Sequence, residues 1–420
     1  MISVGLILLL LILLVLRQNL ILILFVLAAY VHTFFGEGVL EYIIEDMWIG
    51  LDNDVFLAVP LFILCGNVMS KGQIAQRLVT FVTHLTTPFP GGLAIATVLS
   101  CAVFAAISGS SAVTMLSVGS IMYPALLDAG YDRKFALGVL TSGGTLGVVI
   151  PPSVPMILYG IVTETSISDL FFAGMVPGLI LAGGMGTYAF WRHRHLPRKQ
   201  LDISALAISF RKGIWALMMP VLLLGGIYSG YFSPTEAAAV ALGYAVLVEL
   251  FIYRDVSVRD FYNVAVSTAK LLGALYPLLA IAMSLNLLLT TEQVPQGIAH
   301  WVVIQVDSPF TFLLIINLLL LAVGCFLDIN AAILILAPIL LPLATSFGID
   351  PVHLGIIMVI NLEIGFLTPP IGLNLMVAVT AFGERFKLVC QSVIPFIFVI
   401  LAVLVLVTFV PQLSLALTGR

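Results

Sequence analysis

Apolar residues run along the chain in long blocks separated by short polar interruptions, at about 2–16, 19–35, 55–69, 91–107, 112–127, 135–161, 170–191, 213–231, 235–253, 268–290, 310–327, 331–347, 352–381 and 388–412. A helix crossing hydrocarbon needs about 20 apolar residues, and in lipid only a helix or a closed barrel satisfies its own backbone. The unbroken runs predict helices, roughly ten to twelve crossings in one polytopic domain. Several blocks are too short or too interrupted to be simple spans. Two segments, 71–88 and 255–270, instead mix charged and apolar residues at helical spacing, the pattern of a helix lying along the interface or supporting a scaffold. Ser233-Pro234-Thr235-Glu236 reads as a helix start, with Ser as N-cap, Pro in the first position and Glu reaching back.

Composition agrees with the pattern. Of 420 residues 61% are apolar, and 17 basic plus 21 acidic residues make up only 9% of the chain. A soluble domain carries about 25% charged residues, so this is an integral membrane protein with no room for a catalytic domain outside the bilayer. The net charge of -4 and the lack of a basic tail exclude nucleic acid as a partner. Cys65, Cys101, Cys325 and Cys390 lie singly in apolar runs and read as small hydrophobes. The first 19 residues show no basic lead and no small-residue cleavage motif, so a retained helix is expected. Arg192, Arg194, Arg198, Lys199, Arg211 and Lys212 form the most basic connection, with Arg254 and Arg259 two helices later, and both connections are expected to be cytoplasmic. The acidic stretch Glu37, Glu41, Glu45, Asp46, Asp52 and Asp54 orients little and is assigned no side.

An internal repeat carries the most information. Laid on 342–378, residues 124–160 match at a constant offset of 218: Pro124 meets Pro342, Gly130 and Asp132 meet Gly348 and Asp350, Gly147 meets Gly365, and Pro151-Pro152 meets Pro369-Pro370. Leu116 with Leu334 and Ile121 with Ile339 extend the register. These matches fall on residues that determine backbone conformation. The expected organisation is a first repeat over about 55–190, a basic connection over about 192–212 and a second repeat over about 268–412, all within one transport domain. Transporters built from such repeats place their site on interrupted helices at the repeat interface.

Each half contains a break and a polar tip. In the break from Thr141 to Ser153, two prolines remove N–H donors and the glycines permit non-helical torsions, so carbonyls near Gly143, Gly144, Thr145 and Gly147 are expected to lose helical partners. Such carbonyls are tolerable in a membrane where they line a cavity or bind a cation. The second break, Gly365 to Asn374, adds the Thr368 hydroxyl and the Asn374 amide. Upstream, Ser108-Gly109-Ser110-Ser111 divides its run into two arms of about 17 residues, short for spans and suited to a re-entrant hairpin. Its counterpart is Asp328-Ile329-Asn330, between arms ending at Leu327 and starting at Ala331. An aspartate at the midplane costs roughly 2.5–3.5 kcal/mol and needs a partner. A sodium ion held by Asp328, Asn330, the carbonyl of Gly365 and Thr368 would supply one. The first half offers Ser108, Ser110 and the carbonyls at Gly143, Gly144, Thr145 and Gly147 for another. Helix N-termini at the breaks favour an anionic group, and neither hairpin nor break segments contain Arg or Lys. An organic acid, held by Ser110, Ser111, Pro151, Thr368 and Asn374, is the substrate this predicts. Glu363 is either a proton site or a residue facing a neighbouring helix or a connection, and Lys270 and His300 read as snorkelling to the interface.

Ala105 to Ser111, Gly147 to Pro152, Gly225 to Gly230 joined to Ser233 to Ala239, and Gly365 to Asn374 together resemble the large membrane subunit of the tripartite ATP-independent periplasmic (TRAP) transporters over nearly the whole chain. The resemblance implies an all-α polytopic protein of the bacterial inner membrane with two inverted repeats, each holding a re-entrant hairpin and a broken helix, that moves by an elevator stroke. It also implies two protein partners, a small four-helix membrane subunit and a periplasmic solute-binding protein. The implied activity is import of an organic acid such as a C4-dicarboxylate, sialic acid or sugar acid with sodium as coupling ion, with no cofactor and no enzyme activity. The Asp-Ile-Asn tip departs from the Asp followed by Ser or Thr expected there, and Glu363 stands where a small residue is expected. A stand-alone sodium/dicarboxylate symporter of related architecture is the alternative. No Gly-Lys dipeptide exists to build a phosphate-binding loop, and no HExxH motif or histidine in the hairpins or breaks supports an intramembrane hydrolase.

Overall fold

The structure, a computed structural model, describes residues 20–34, 41–196, 200–293 and 308–419 with a few single positions besides. Most of the first apolar block, together with Glu37, Arg198, Lys199 and His300, lies outside the described residues. Among the described residues every regular element is helical. Nine helical stretches among them are long and apolar enough to cross a membrane, with five shorter apolar helices beside them.

The scaffold comes from the N-terminal and middle parts of the chain. It comprises α1 (Leu20–Phe34), α2 (Glu41–Leu51), α3 (Ala58–Lys71), the arm α4 (Ile74–Thr86), α11 (Ile203–Tyr228), α12 (Pro234–Leu247) and α13 (Val258–Thr291). Helix α3 packs along α12 and α13, and α4 lies against α11. Helix α12 begins with the expected capping box: Ser233 Oγ accepts from Glu236 N and Glu236 Oε2 accepts from Ser233 N. It ends in a π-helical turn over Val248–Tyr253. Glu249 in that turn is fully buried and accepts from Gln73 N (3.0 Å) and Ile74 N (2.7 Å), satisfying orphan donors at the start of α4. Residues 258–270 are not a separate interfacial helix but the first part of the 34-residue α13.

Two sets of helices form the remainder. The first is α5 (Gly92–Ser108), α6 (Ser111–Asp128), α7 (Arg133–Gly143), the single turn α8 (Leu146–Val149), α9 (Val154–Val162) and α10 (Ile167–His193). The second is α14 (Pro309–Gly324), α15 (Ile329–Ser346), α16 (Pro351–Phe366), α17 (Leu373–Phe382), α18 (Phe386–Phe409) and the short α19 (Gln412–Leu415). Shifted by 218, Ser111–Asp128 falls on 329–346, where the helix is Ile329–Ser346. The turns that follow match bond for bond. Tyr131 N donates to Leu126 O and Gly130 N to Leu127 O, while Ile349 N donates to Ala344 O and Gly348 N to Thr345 O, all at 3.0 Å. This is the Schellman pattern, and the second residue after each helix, Gly130 at φ 80 and Gly348 at φ 73, has the left-handed torsion that glycine adopts without a Cβ penalty. Asp132 and Asp350 then occupy the N-cap positions of α7 and α16.

Contacts between the two sets make them one body. Helix α7 packs on α18, α6 on α17 and α9 on α15 and α16. Tyr123 Oη donates to Glu384 Oε1 (2.8 Å), which also pairs with Arg133 (3.3 Å), and Tyr159 Oη donates to the Pro351 carbonyl (2.7 Å).

Candidate functional site

Each hairpin turns at its polar tip. In the first, α5 ends at Ser108 and Ser110 is the N-cap of α6. In the second, α14 ends at Gly324, earlier than the expected Leu327, and Asp328 is the N-cap of α15. Both Pro-Pro bonds of the breaks, Pro151-Pro152 and Pro369-Pro370, are cis.

The first tip is stitched to the first break. Val154 N donates to the Gly109 carbonyl (3.3 Å), and Ser108 Oγ lies 2.6 Å from Thr114 Oγ1 and 3.4 Å from the Ser110 carbonyl. Gly147 packs so closely here that a Cβ would collide with Thr114 Oγ1 and the Ser110 carbonyl. Gly144 packs on the Ser111 carbonyl and Gly143 on Cys101, while the Thr145 hydroxyl is spent on the Ser142 carbonyl (2.6 Å). Ser108, Ser110 and Gly147 thus converge with Thr114, an oxygen donor that sequence reasoning missed. Contrary to expectation, the Gly144 carbonyl keeps a backbone partner, accepting from Gly147 N (2.8 Å), as does the Thr145 carbonyl, accepting from Val148 N (3.2 Å), because the chain continues as a tight turn into α8.

The second tip is built differently. Asp328 accepts from Asn330 N (3.0 Å), and Asn330 Oδ1 is buried without a hydrogen-bond partner. Gly365 meets the backbone of Gly324 where α14 and α16 cross, and its carbonyl accepts from Thr368 N (3.0 Å). The Thr368 hydroxyl donates to the Ile364 carbonyl (2.7 Å). Asn374, at the start of α17, donates through Nδ2 to Ser111 Oγ and so joins the second break to the first tip.

Tips, breaks and scaffold line a half-open cavity of about 360 Å³. Ser110, Ser111, Asp328, Asn330 and Asn374 line it; Pro151 and Thr368 do not. Four helix N-termini reach it, through Ser111 of α6, Val154 and Pro155 of α9, Ile329 of α15 and Leu373 and Asn374 of α17. Two are capped by side chains, α9 by Ser153 and α15 by Asp328. The other two, α6 and α17, have no side-chain cap, and their opening turns share the Ser111–Asn374 contact. Free N–H groups carrying partial positive charge therefore meet at one place in the cavity. The opposite wall belongs to the scaffold: Leu271 and Leu275 of α13, and Asn67 of α3, whose amide donates to Thr268 Oγ1 (2.9 Å). Asn67 was also missed; its sole signal is a lone amide in an apolar run. Among the described residues, Asp328 is the one charged residue lining the cavity.

Paired helix breaks around a cavity on facing hairpins, in a chain rich in spans, define a membrane transporter permease. The family described as "Tripartite ATP-independent periplasmic transporter, DctM component" matches residues 4–413, and the chain belongs to it: it is a multi-pass permease of the inner membrane. Over 369 residues it is 45% identical to the C4-dicarboxylate TRAP transporter large permease protein DctM of Pseudomonas aeruginosa, covering 87% of this chain and 86% of that one. It is 37% identical to the isethionate TRAP transporter permease protein DctMQ of Oleidesulfovibrio alaskensis, covering 91% of this chain and 61% of the longer relative. The fold is similar to the crystal structure of the Alcanivorax borkumensis YdaH transporter, at a TM-score of 0.64 and 14% identity over 90% of this chain and 89% of that one.

Proposed function

We propose that this chain is the large permease subunit of a sodium-coupled importer of an organic acid, of the C4-dicarboxylate, sialic acid or sugar-acid class. Its partners are a small four-helix membrane subunit and a periplasmic solute-binding protein that delivers the acid. The relatives named for a dicarboxylate and for isethionate, both organic anions, support the substrate class, and the DctMQ relative, longer than this chain, supports the small-subunit partner. The observation that carries the reading is the pair of uncapped N-termini, α6 and α17, facing a cavity that no Arg or Lys among the described residues lines. They bind a carboxylate through backbone N–H groups. Oxygen-only clusters at the two tips, Ser108, Ser110 and Thr114 on one side and Asp328 and Asn330 on the other, suit a hard monovalent cation. The two sets of helices are read as inverted repeats with re-entrant hairpins, and their union as the body that moves against the scaffold in an elevator stroke, carrying the cavity with it.

The test is uptake into proteoliposomes holding the permease and small subunit, with and without the binding protein, under an imposed sodium gradient. Import that needs both the gradient and the binding protein supports the reading. Import of free dicarboxylate without the binding protein makes the chain a stand-alone symporter, and import without sodium removes the coupling.

A further inference from the structure

Glu363 has no part in the reading above. It lies on α16, fully buried, and neither carboxylate oxygen has a hydrogen-bond partner. Helices α8, α9, α10, α14, α15, α17, α18 and α19 all pack against α16. Among the described residues, the charged group that acts on Glu363 is Asp328, of the same sign. Its polar neighbour is the Ser111 hydroxyl, at the first tip. That hydroxyl accepts from the Asn374 amide, and the Asn374 Oδ1 left over is fully buried and also lacks a hydrogen-bond partner.

An ionised carboxylate taken out of water costs several kcal/mol even after relaxation, so Glu363 needs a positive charge. No lysine, arginine or histidine among the described residues supplies it. The polar group beside Glu363, the Ser111 hydroxyl, already accepts from the Asn374 amide. A hard cation sits about 2.3–2.6 Å from each of its oxygens and keeps them farther apart than a hydrogen bond would. The unpartnered oxygens of Glu363 and the unpartnered Asn374 Oδ1, joined through the Ser111 hydroxyl, are the lone pairs available to it.

We propose that Glu363, Asn374 Oδ1 and the Ser111 hydroxyl form a sodium site of their own, beside the tip clusters. The site rests on the sodium-coupled reading and deepens it. Ser111 and Asn374 also open the uncapped N-termini of α6 and α17, so a sodium ion there neutralises Glu363 at the place where the substrate carboxylate docks. Without the ion, two like charges meet at those helix ends. Sodium binding thereby becomes a condition of anion binding, which is the physical content of coupling.

The experiment is a titration of the purified permease and small subunit with radioactive sodium alone, counting ions bound per chain. Glu363→Gln is expected to bind one ion fewer than the native protein, and Asp328→Ala to lose a different one, so that the double variant loses both. Glu363→Asp, which keeps the charge on a shorter stem, is expected to keep the native count with affinity lowered ~10-fold; it guards against a Gln variant that fails to fold. Equal counts in native and Glu363→Gln, or unchanged affinity in Glu363→Asp, overturn the site and leave Glu363 to a proton. A native protein that binds no sodium overturns the sodium-coupled reading itself, a result distinct from either.

Discussion

The two breaks use one backbone device in two surroundings. In the first, every residue from Gly143 to Val154 is buried, and the loop is tied to the hairpin tip through Val154 N and the Gly109 carbonyl. In the second, Pro369, Pro370 and Ile371 are exposed and Thr368 is half-buried. Ser153 and Ile371 occupy the same place at the repeat offset, yet one is 0% and the other 47% exposed. Chemistry divides along the same line, since hydroxyls and carbonyls serve the enclosed half while Asp328 and Glu363 belong to the open one. An enclosed site can lean on neutral oxygens held rigidly by packing. The open half adds two carboxylates, Asp328 and Glu363, to its polar groups.

The strongest test of that contrast is Asp328→Ala, which is expected to abolish sodium-dependent uptake while the protein still inserts; unchanged uptake at low sodium would end the role of the charged tip. Next in size, Ser110→Trp or Ser111→Trp should block transport through the neutral tip, measured as lost uptake at normal expression, and native rates would remove that hairpin from the site. In a background without native cysteines, Ile371→Cys should react with a hydrophilic maleimide and Ser153→Cys should not; equal labelling would erase the difference in enclosure. The smallest effect concerns what the halves share. Gly130→Ala and Gly348→Ala meet no atom within 4 Å, so each should cost only the left-handed torsion, about 1–2 kcal/mol, and equally in thermal unfolding.

Much of this architecture is legible in the sequence because glycine and proline act locally. Gly130, Gly348 and the Pro-Pro pairs constrain torsions wherever they stand, and the 218-residue offset followed from them. The capping box at Ser233 is local in the same way. What stayed hidden depends on residues distant in sequence. Thr114 became a partner of Ser108 only once the hairpin closed, and Asn67 reached the cavity only through the packing of α3 on α13. The Thr368 hydroxyl, a reasonable ligand by composition, bonds back to the Ile364 carbonyl in the last turn of α16, as Ser and Thr side chains do when an i−4 carbonyl is in reach. The extent of α13 was obscured because the charges of 255–270 resemble those of a surface helix, whereas they form the polar end of a long span.

Glu249 has a consequence for how the protein is made. The opening amides of α4 end on a carboxylate 175 residues further along the chain, so a nascent polypeptide emerging as far as the first hairpin still has those donors unanswered. They find their acceptor only when the π-helical turn has been synthesised and inserted. The arm leading to the first hairpin is therefore among the earlier parts to be translated and among the later ones to be finished, and truncation before that turn would leave it frayed at its root.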